Sequence, residues 1–441
     1  MPIADAVALA PRLLRWQGLV RCSAPQQRRL QATAGVLLMA LLATLPFISR
    51  PGLALVITAC GALWLLWSLT TPPGRIGAIS GWLLLYLAIA TVATGFSPVP
   101  MAAAKGLIKL LSYLGVYALI RELLAQRPLW WDRLVAALLG GGLLSCVMAL
   151  RQLYGPTEEL AGWADPNSVA EGTIRIYGPL GNPNLLAGYL VPILPLAIAA
   201  LLRWKGWGQR LFAATTLLCA ATATLFSYSR GGWLAMLAGL GVMGLLLVLR
   251  SIRHWPPLWK RILPLCLLVV AVAVVAVAAT QVEPVRTRVA SLLAGRGDSS
   301  NNFRINVWMS ALAMVQDRPW LGIGPGNAAF NSVYPLYQQP RFNALSAYSV
   351  PLEVLVETGI PGLIATLGLA WSSCKAGLLG LTGEGPLQLP RLACLAAVAG
   401  LLVQGATDTI FFRPEVQIIG LLCLATLAQL QTTQAEETPG C

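Results

Sequence analysis

Twelve times this chain runs for roughly twenty residues with few charges: 31–48, 52–70, 77–95, 103–123, 133–152, 184–202, 210–228, 231–250, 262–280, 349–371, 391–408 and 415–431. A helix needs about 20 mostly apolar residues to cross the hydrocarbon core. A backbone surrounded by lipid must satisfy its own hydrogen bonds, which restricts such a chain to helices. The expected fold is therefore an all-α polytopic membrane protein. About 12 transmembrane helices are expected, with a large helical loop outside the cytoplasm between helices 9 and 10. Composition agrees, since 11% of the residues are charged against roughly 25% in a soluble domain.

The segments divide into an N-terminal cytoplasmic stretch 1–30, helices one to nine over 31–280 and the loop 281–348. Helices ten to twelve over 349–431 and a polar, disordered tail 432–441 complete the chain. The formal net charge is +14, which in a soluble chain would suggest nucleic acid. Here the cations gather at alternate helix ends: Arg12, Arg15, Arg21, Arg28 and Arg29, then Arg121, Arg127 and Arg133, then Arg203, Lys205 and Arg210. Arg250, Arg253, Lys260, Arg261, Lys375 and Arg391 continue the series. Positive residues favour cytoplasmic loops, so both termini are expected inside, loops 153–183 and 281–348 outside, and no nucleic acid as partner. Arginines interrupt the N-terminus, which does not read as a cleaved signal peptide. The nine cysteines fall mostly inside apolar runs, so no disulfide framework is implied, and the single histidine, His254, excludes a metal site built from histidines. No cofactor is expected.

The loop 281–348 holds Arg286, Arg288, Arg296, Arg304, Arg318 and Arg341, and long loops tend to carry function. Asn301-Asn302 can cap a helix in which Phe303, Val307, Trp308, Ala311, Leu312 and Val315 recur at helical spacing until Asp317-Arg318-Pro319 ends it. Gly322–Gly326 lacks the Lys and Ser/Thr of a phosphate loop and reads as a structural turn. Arg304, placed in the first turn of that helix, suits an external anion better than it suits the helix dipole. Arg230 sits at a membrane edge, either snorkelling to the interface or holding an anion through its planar fork. Arg175 is the one clear cation of loop 153–183, and Asn182 or Asn184 can cap the helix that follows. Lys105 and Lys109 lie one turn apart in an apolar run, either lining a polar cavity or marking an interfacial entry to helix four. Glu353 and Glu357 are similarly spaced, and Asp408 and Arg413 bracket another outer turn; carboxylates at that depth pair or move protons.

Arg230-Gly-Gly-Trp-Leu234 resembles the R-x-x-x-L motif of the O-antigen ligase and polymerase superfamily. So does Arg304-Ile-Asn-Val-Trp308 followed by Asp317-Arg-Pro-Trp-Leu-Gly-Ile-Gly324, and Glu357-Thr-Gly-Ile-Pro-Gly362 resembles the segment closing that family's outer loop. Gly178-Pro-Leu-Gly-Asn-Pro-Asn-Leu-Leu-Ala-Gly188, Leu345-Ser-Ala-Tyr-Ser349 and Phe412-Arg-Pro-Glu-Val-Gln417 are similar to the cyanobacterial IctB branch, named for a role in bicarbonate transport. The resemblance implies transfer of a glycan from undecaprenyl diphosphate on the periplasmic face of the inner membrane; the chain itself is expected to be a monomer among membrane lipids. Arg230 and Arg304 match the arginines taken to hold the diphosphate, with Arg175, Arg413 and Asn184 as further substrate-binding candidates. The family's histidine, in an A-H-N-x-x-L pattern, falls at Tyr348, and a phenol with pKa near 10 is a poor base. Tyr348 and Glu353 are the catalytic candidates. Two other readings stay open: a bicarbonate or anion carrier, and a non-catalytic lipid-diphosphate or glycan binder.

Overall fold

Residues 23–70, 76–155, 175–252, 295–379 and 388–437, with isolated positions between 255 and 381, are described in the computed structural model. The ninth apolar run beyond Leu263, most of 281–294, residues 156–174, the first 22 residues, His254 and the last four residues lie outside the described residues. No strand occurs among the described residues.

The first five helices are α1 (Ala24–Thr44), α2 (Arg50–Ser68), α3 (Ala78–Gly95), α4 (Pro100–Gln126) and α5 (Trp130–Arg151). Then come α6 (Pro183–Leu190), α7 (Ile193–Arg203), α8 (Trp207–Phe226) and α9 (Arg230–Ser251). The loop contributes α10 (Ser299–Asp317) and α11 (Asn327–Val333), followed by α12 (Val350–Leu379), α13 (Gln388–Gly405) and α14 (Pro414–Glu437). Seven spans among the described residues are long and apolar enough to cross a membrane: α2, α3, α5, the α6–α7 pair, α9, α12 and α13. Leu55, Ile108, Leu218 and Leu367 point outward and exposed, which lipid tolerates and water would not.

Several boundaries differ from the sequence expectation for identifiable reasons. The run 184–202 is two helices, because Pro192 lacks an N–H and its ring opposes continuation through Val191. The loop helix begins earlier than Asn301: Asp298 accepts the Asn301 amide at 3.0 Å and is the cap. Arg304 consequently lies in the second turn, not the first, beyond the unbonded amides of the helix terminus. Asn182, rather than Asn184, caps α6.

α9 packs along α13, α2 along α4, α3 along α12, α1 along α5, and α14 against α4. The two ends of the bundle are chemically distinct. At the start of α5, Arg203 grips Asp132 through two hydrogen bonds of 2.7 and 3.0 Å, joined by the Trp204 indole at 3.1 Å. At the far end of α5, Gln152 accepts the amides of Tyr177 and Gly178 at 2.9 Å each. The loop docks at this second end.

Docking depends on a break in α12. Gly359 has φ 67° and ψ −166°, which frees the carbonyls of Val356 and Glu357 from helical bonding. The amides of Ile323 and Gly324 take them, both at 2.9 Å, while Ile360 donates to the Pro319 carbonyl at 2.8 Å. The Glu357 carboxylate accepts the Gly326 amide at 2.8 Å. The turn Gly322–Gly326 is thus the piece that fits the break, in keeping with the structural reading. A second apolar core, with Val307, Met314, Phe330 and Val356, seals α10 and α11 onto α4 and α12.

Candidate functional site

Three segments distant in sequence converge beside the docked loop. From α6, Asn184 donates through Nδ2 to Asp408 Oδ2 at 3.2 Å and accepts Arg175 Nη2 on its own oxygen at 2.8 Å. Arg175 also donates through Nε to the Ser227 carbonyl at 3.1 Å. Asp408, in the turn between α13 and α14, takes the Thr409 amide at 2.8 Å, and the Thr409 hydroxyl meets Ser346 Oγ at 2.6 Å. The turn after α13 is therefore tied directly to the segment carrying Tyr348.

Arg304 faces this group. Its charge interacts with Asp408, Arg230, Tyr348 and Asp298, and its hydrogen bond, Nη1 to Ser300 Oγ, is long at 3.3 Å. Its Nε is buried and has no hydrogen-bond partner. Burial lowers the pKa of this guanidinium, and Asp408 acts in the opposite sense. Arg230 is placed differently. It opens α9 and pairs with Asp298 at 3.0 Å, with side-chain exposures of 9% and 1%. Asp298 thereby caps α10 and ties it to α9 with one carboxylate.

Tyr348 precedes α12 with φ 49°, a left-handed conformation unusual for a bulky residue. The Phe303 ring meets it edge-on, centroids 5.3 Å apart, and the Trp308 indole donates to its carbonyl at 3.4 Å. Burial pushes the phenol above its ordinary range, with Asp408 adding to the rise and Arg304 and Arg413 opposing it. The nearby arginines do not win that contest, so the phenol is a proton donor at neutral pH. Asp408 is raised as well, first by burial, with Arg304 the largest opposing influence. Glu353, 3% exposed, accepts the Ala347 amide and so braces the residue before Tyr348.

A cavity of about 510 Å³ opens beside them, lined by Tyr348, Asn184, Arg413, Glu353 and Asp408, and also by Lys109, Glu357 and Arg50. Arg230, Arg304 and Arg175 are not in its wall. Lys105 is exposed on α4 and lies outside it too. The sequence reading missed Asp408 as the neighbour of Arg304. The available signal was a lone acid, Thr407-Asp408-Thr409, closing an apolar run.

The pairing at Arg230 predicts a large structural cost. Arg230→Ala leaves a buried, unpaired carboxylate, worth about 3–5 kcal/mol. Asp298→Asn in the same chain removes the charge and keeps a good cap, so the double variant should recover at least half of that loss in thermal unfolding. A double variant no more stable than Arg230→Ala alone would show that the ion pair does not carry the effect.

A family model described as O-antigen ligase matches residues 215–367. That segment runs from within α8 to within α12 and supplies Arg230, Arg304, Tyr348 and Glu353, whereas Arg175, Asn184, Asp408 and Arg413 lie outside it. The match covers about a third of the chain and supports a likeness of that segment to the O-antigen ligase superfamily. No curated protein matches the chain.

Proposed function

We propose that this integral membrane protein, a monomer of the inner membrane, transfers a glycan from a polyprenyl-diphosphate carrier to an acceptor hydroxyl on the extracytoplasmic face. The observation that carries the reading is Arg304, a buried guanidinium with an unpartnered Nε beside Arg230, Tyr348 and Asp408. A diphosphate leaving group gains charge as the glycosidic C–O bond breaks, and a preorganised guanidinium stabilises that charge most strongly where water is excluded. The acceptor oxygen bonds to the anomeric carbon, its proton goes to Asp408 Oδ, and the carrier departs as the diphosphate. No metal is required, because arginine supplies the positive charge.

Asp408 suits the base role better than Tyr348 does. It lines the cavity, its two oxygens are oriented by Asn184 and the Thr409 amide, and burial raises its basicity. Tyr348, held protonated, donates a hydrogen bond to the acceptor or the departing oxygen. Glu353 acts by positioning it through Ala347.

The test is transfer from a synthetic polyprenyl-diphosphate saccharide by the purified protein. Asp408→Asn should lower the rate about 10²–10⁴-fold, the usual contribution of general acid–base catalysis. Tyr348→Phe should cost less, and Tyr348→His should retain or raise activity, because imidazole near pKa 6.5 can itself serve as base. In the native protein the rate should rise with pH along a limb lying above the ordinary aspartate value of about 3.9, since the raised carboxylate must lose its proton to work. Full activity in Asp408→Asn would remove the base assignment.

A second reading, carriage of bicarbonate or another anion, is favoured by two interrupted helices, at Val191-Pro192 and at Gly359. Against it, the carbonyls freed at Gly359 are already taken by Ile323 and Gly324. Bicarbonate flux into liposomes together with no glycan transfer would put this reading first.

A further inference from the structure

Arg175 reaches Asp408 at one remove. Its Nη2 donates to Asn184 Oδ1 at 2.8 Å, and the other end of that amide, Nδ2, donates to Asp408 Oδ2 at 3.2 Å. The series runs in one direction only. A guanidinium donates and never accepts, an ionised carboxylate accepts and never donates, and an amide does one at each end. Between the two, Asn184 must turn its oxygen to Arg175 and its nitrogen to Asp408. Its main chain is pinned separately: Asn182 Oδ1 takes the Asn184 backbone amide at 2.8 Å, and Gln404 Nε2 donates to the Asn184 carbonyl at 3.2 Å. What Arg175 decides is which way the side-chain amide faces.

The arginine is itself anchored. Its Nε donates to the Ser227 carbonyl at 3.1 Å, and the next residue, Ile176, donates its amide to the Phe226 carbonyl at 3.3 Å. Both acceptors lie at the corner between α8 and α9, a few residues ahead of Arg230. At the receiving end, Asp408 is 8% exposed. It faces Arg304 on α10, Tyr348 ahead of α12 and Arg413 ahead of α14. The Thr409 amide that it accepts belongs to the adjacent residue and moves with it, whereas Asn184 holds it from another element. Burial raises the pKa of Asp408, and Arg304, the Thr409 amide and the Asn184 bond act against that rise.

We infer that Arg175 is a positioning residue for Asp408: by fixing the Asn184 amide it keeps a donor, rather than an acceptor, against that carboxylate. The base role of Asp408 rests on the transferase reading; the relay itself does not. Without Arg175 the amide can reverse. Its oxygen then repels the ionised carboxylate and accepts a hydrogen bond from the protonated one, which favours the protonated form. Losing the relay therefore raises the pH at which Asp408 gives up its proton. In the transferase reading it also moves the rising limb of the rate to higher pH, because fewer molecules hold a base able to take the acceptor proton. Arg175 thus has a role that needs no contact with substrate.

The direct measurement is the infrared carboxyl band of Asp408, identified as the band lost in Asp408→Asn and followed through a pH titration of the full chain in nanodiscs. Arg175→Met should move its midpoint up by about one to two pH units, the scale of one hydrogen bond to a charged group. Asn184→Leu should move it by a similar amount, and it provides the second route if Arg175→Met does not fold. Adding Arg175→Met to Asn184→Leu should move it no further, because the arginine acts through the amide. Arg175→Lys, which keeps a cationic donor, should recover part of the shift. The acid limb of glycan transfer should be displaced to the same extent, with native turnover approached at high pH. An unmoved midpoint in folded Arg175→Met, or an additive shift in the double variant, would overturn the relay and leave Arg175 as a staple to Ser227, a role read in melting alone. A displaced midpoint with full transfer in Asp408→Asn would instead overturn the base assignment and leave the relay standing.

Discussion

Arg304→Ala should reduce glycan transfer by about 10²–10³-fold, the loss typical when one preorganised donor to a developing charge is removed, and the protein should remain folded. The second half of that expectation follows from how poorly Arg304 is satisfied. Its hydrogen bond to Ser300 is 3.3 Å long, and its Nε is buried with no partner. A group held that way contributes little to stability, and Asp408, whose hydrogen bonds come from Asn184 and the Thr409 amide, keeps those partners when Arg304 is removed. Arg304→Met should therefore melt within about 1 kcal/mol of the parent, the scale of one ordinary hydrogen bond, while losing donor binding. Arg304→Lys should recover only part of the activity, because an ammonium cannot reproduce the guanidinium fork. The contrast with Arg230 is the discriminating measurement. Arg230 has a buried carboxylate at 3.0 Å, so its removal should be read mainly in the melting curve, whereas removal of Arg304 should be read mainly in transfer. Transfer unaffected by Arg304→Ala in a folded protein would end the diphosphate assignment.

The same two arginines show what can be read from the chain alone. The apolar runs announce the bundle because lipid leaves the backbone few alternatives, and every run with described residues beyond its first two is helical. The end of the loop helix at Asp317 is legible from the Arg318-Pro319 signal. Its start is not, since Asp298 competes with Asn301 for the cap and wins through a second bond to Arg230 that no local pattern reveals. Local resemblance brings Arg230, Arg304 and Tyr348 to one place but gives the two arginines the same role. Their roles separate only once Asp298 is seen to occupy one of them. Asp408 is harder still. Its partners are Asn184 and Arg304, contributed by helices far apart in sequence, and a single aspartate in a turn carries no periodicity. Lys109 reads as an interfacial lysine until Phe412 and the cavity are seen beside it.

Gly359→Ala should be strongly destabilising, as should a methyl at Gly322 or Gly106, where backbone atoms also close the space. Its φ of 67° with ψ of −166° falls in a region that is essentially glycine-only, where another residue costs about 1–3 kcal/mol. An added Cβ would lie 2.4 Å from the Trp320 carbonyl carbon and oxygen and 2.6 Å from the Pro319 oxygen. Those atoms are backbone, so no rotamer change relieves the contact. Moving 319–320 away breaks the bond from Ile360 to Pro319 and strains those from Ile323 and Gly324 to the α12 carbonyls, each worth about 1 kcal/mol. Strain and lost bonds together imply a loss of about 3–5 kcal/mol. Gly181 supplies the control: its φ is 68°, but nothing lies within 4 Å of an added Cβ. Gly181→Ala should therefore show conformational strain without the clash, near the lower end of that strain range. In hydrogen exchange, Gly359→Ala should also strip protection from the Ile323 and Gly324 amides, because the turn they belong to has lost its seat, and Gly181→Ala should not. If the two variants unfold alike and the two amides stay protected, the turn is not held by the break in α12, and the position of Tyr348 must be fixed by some other contact.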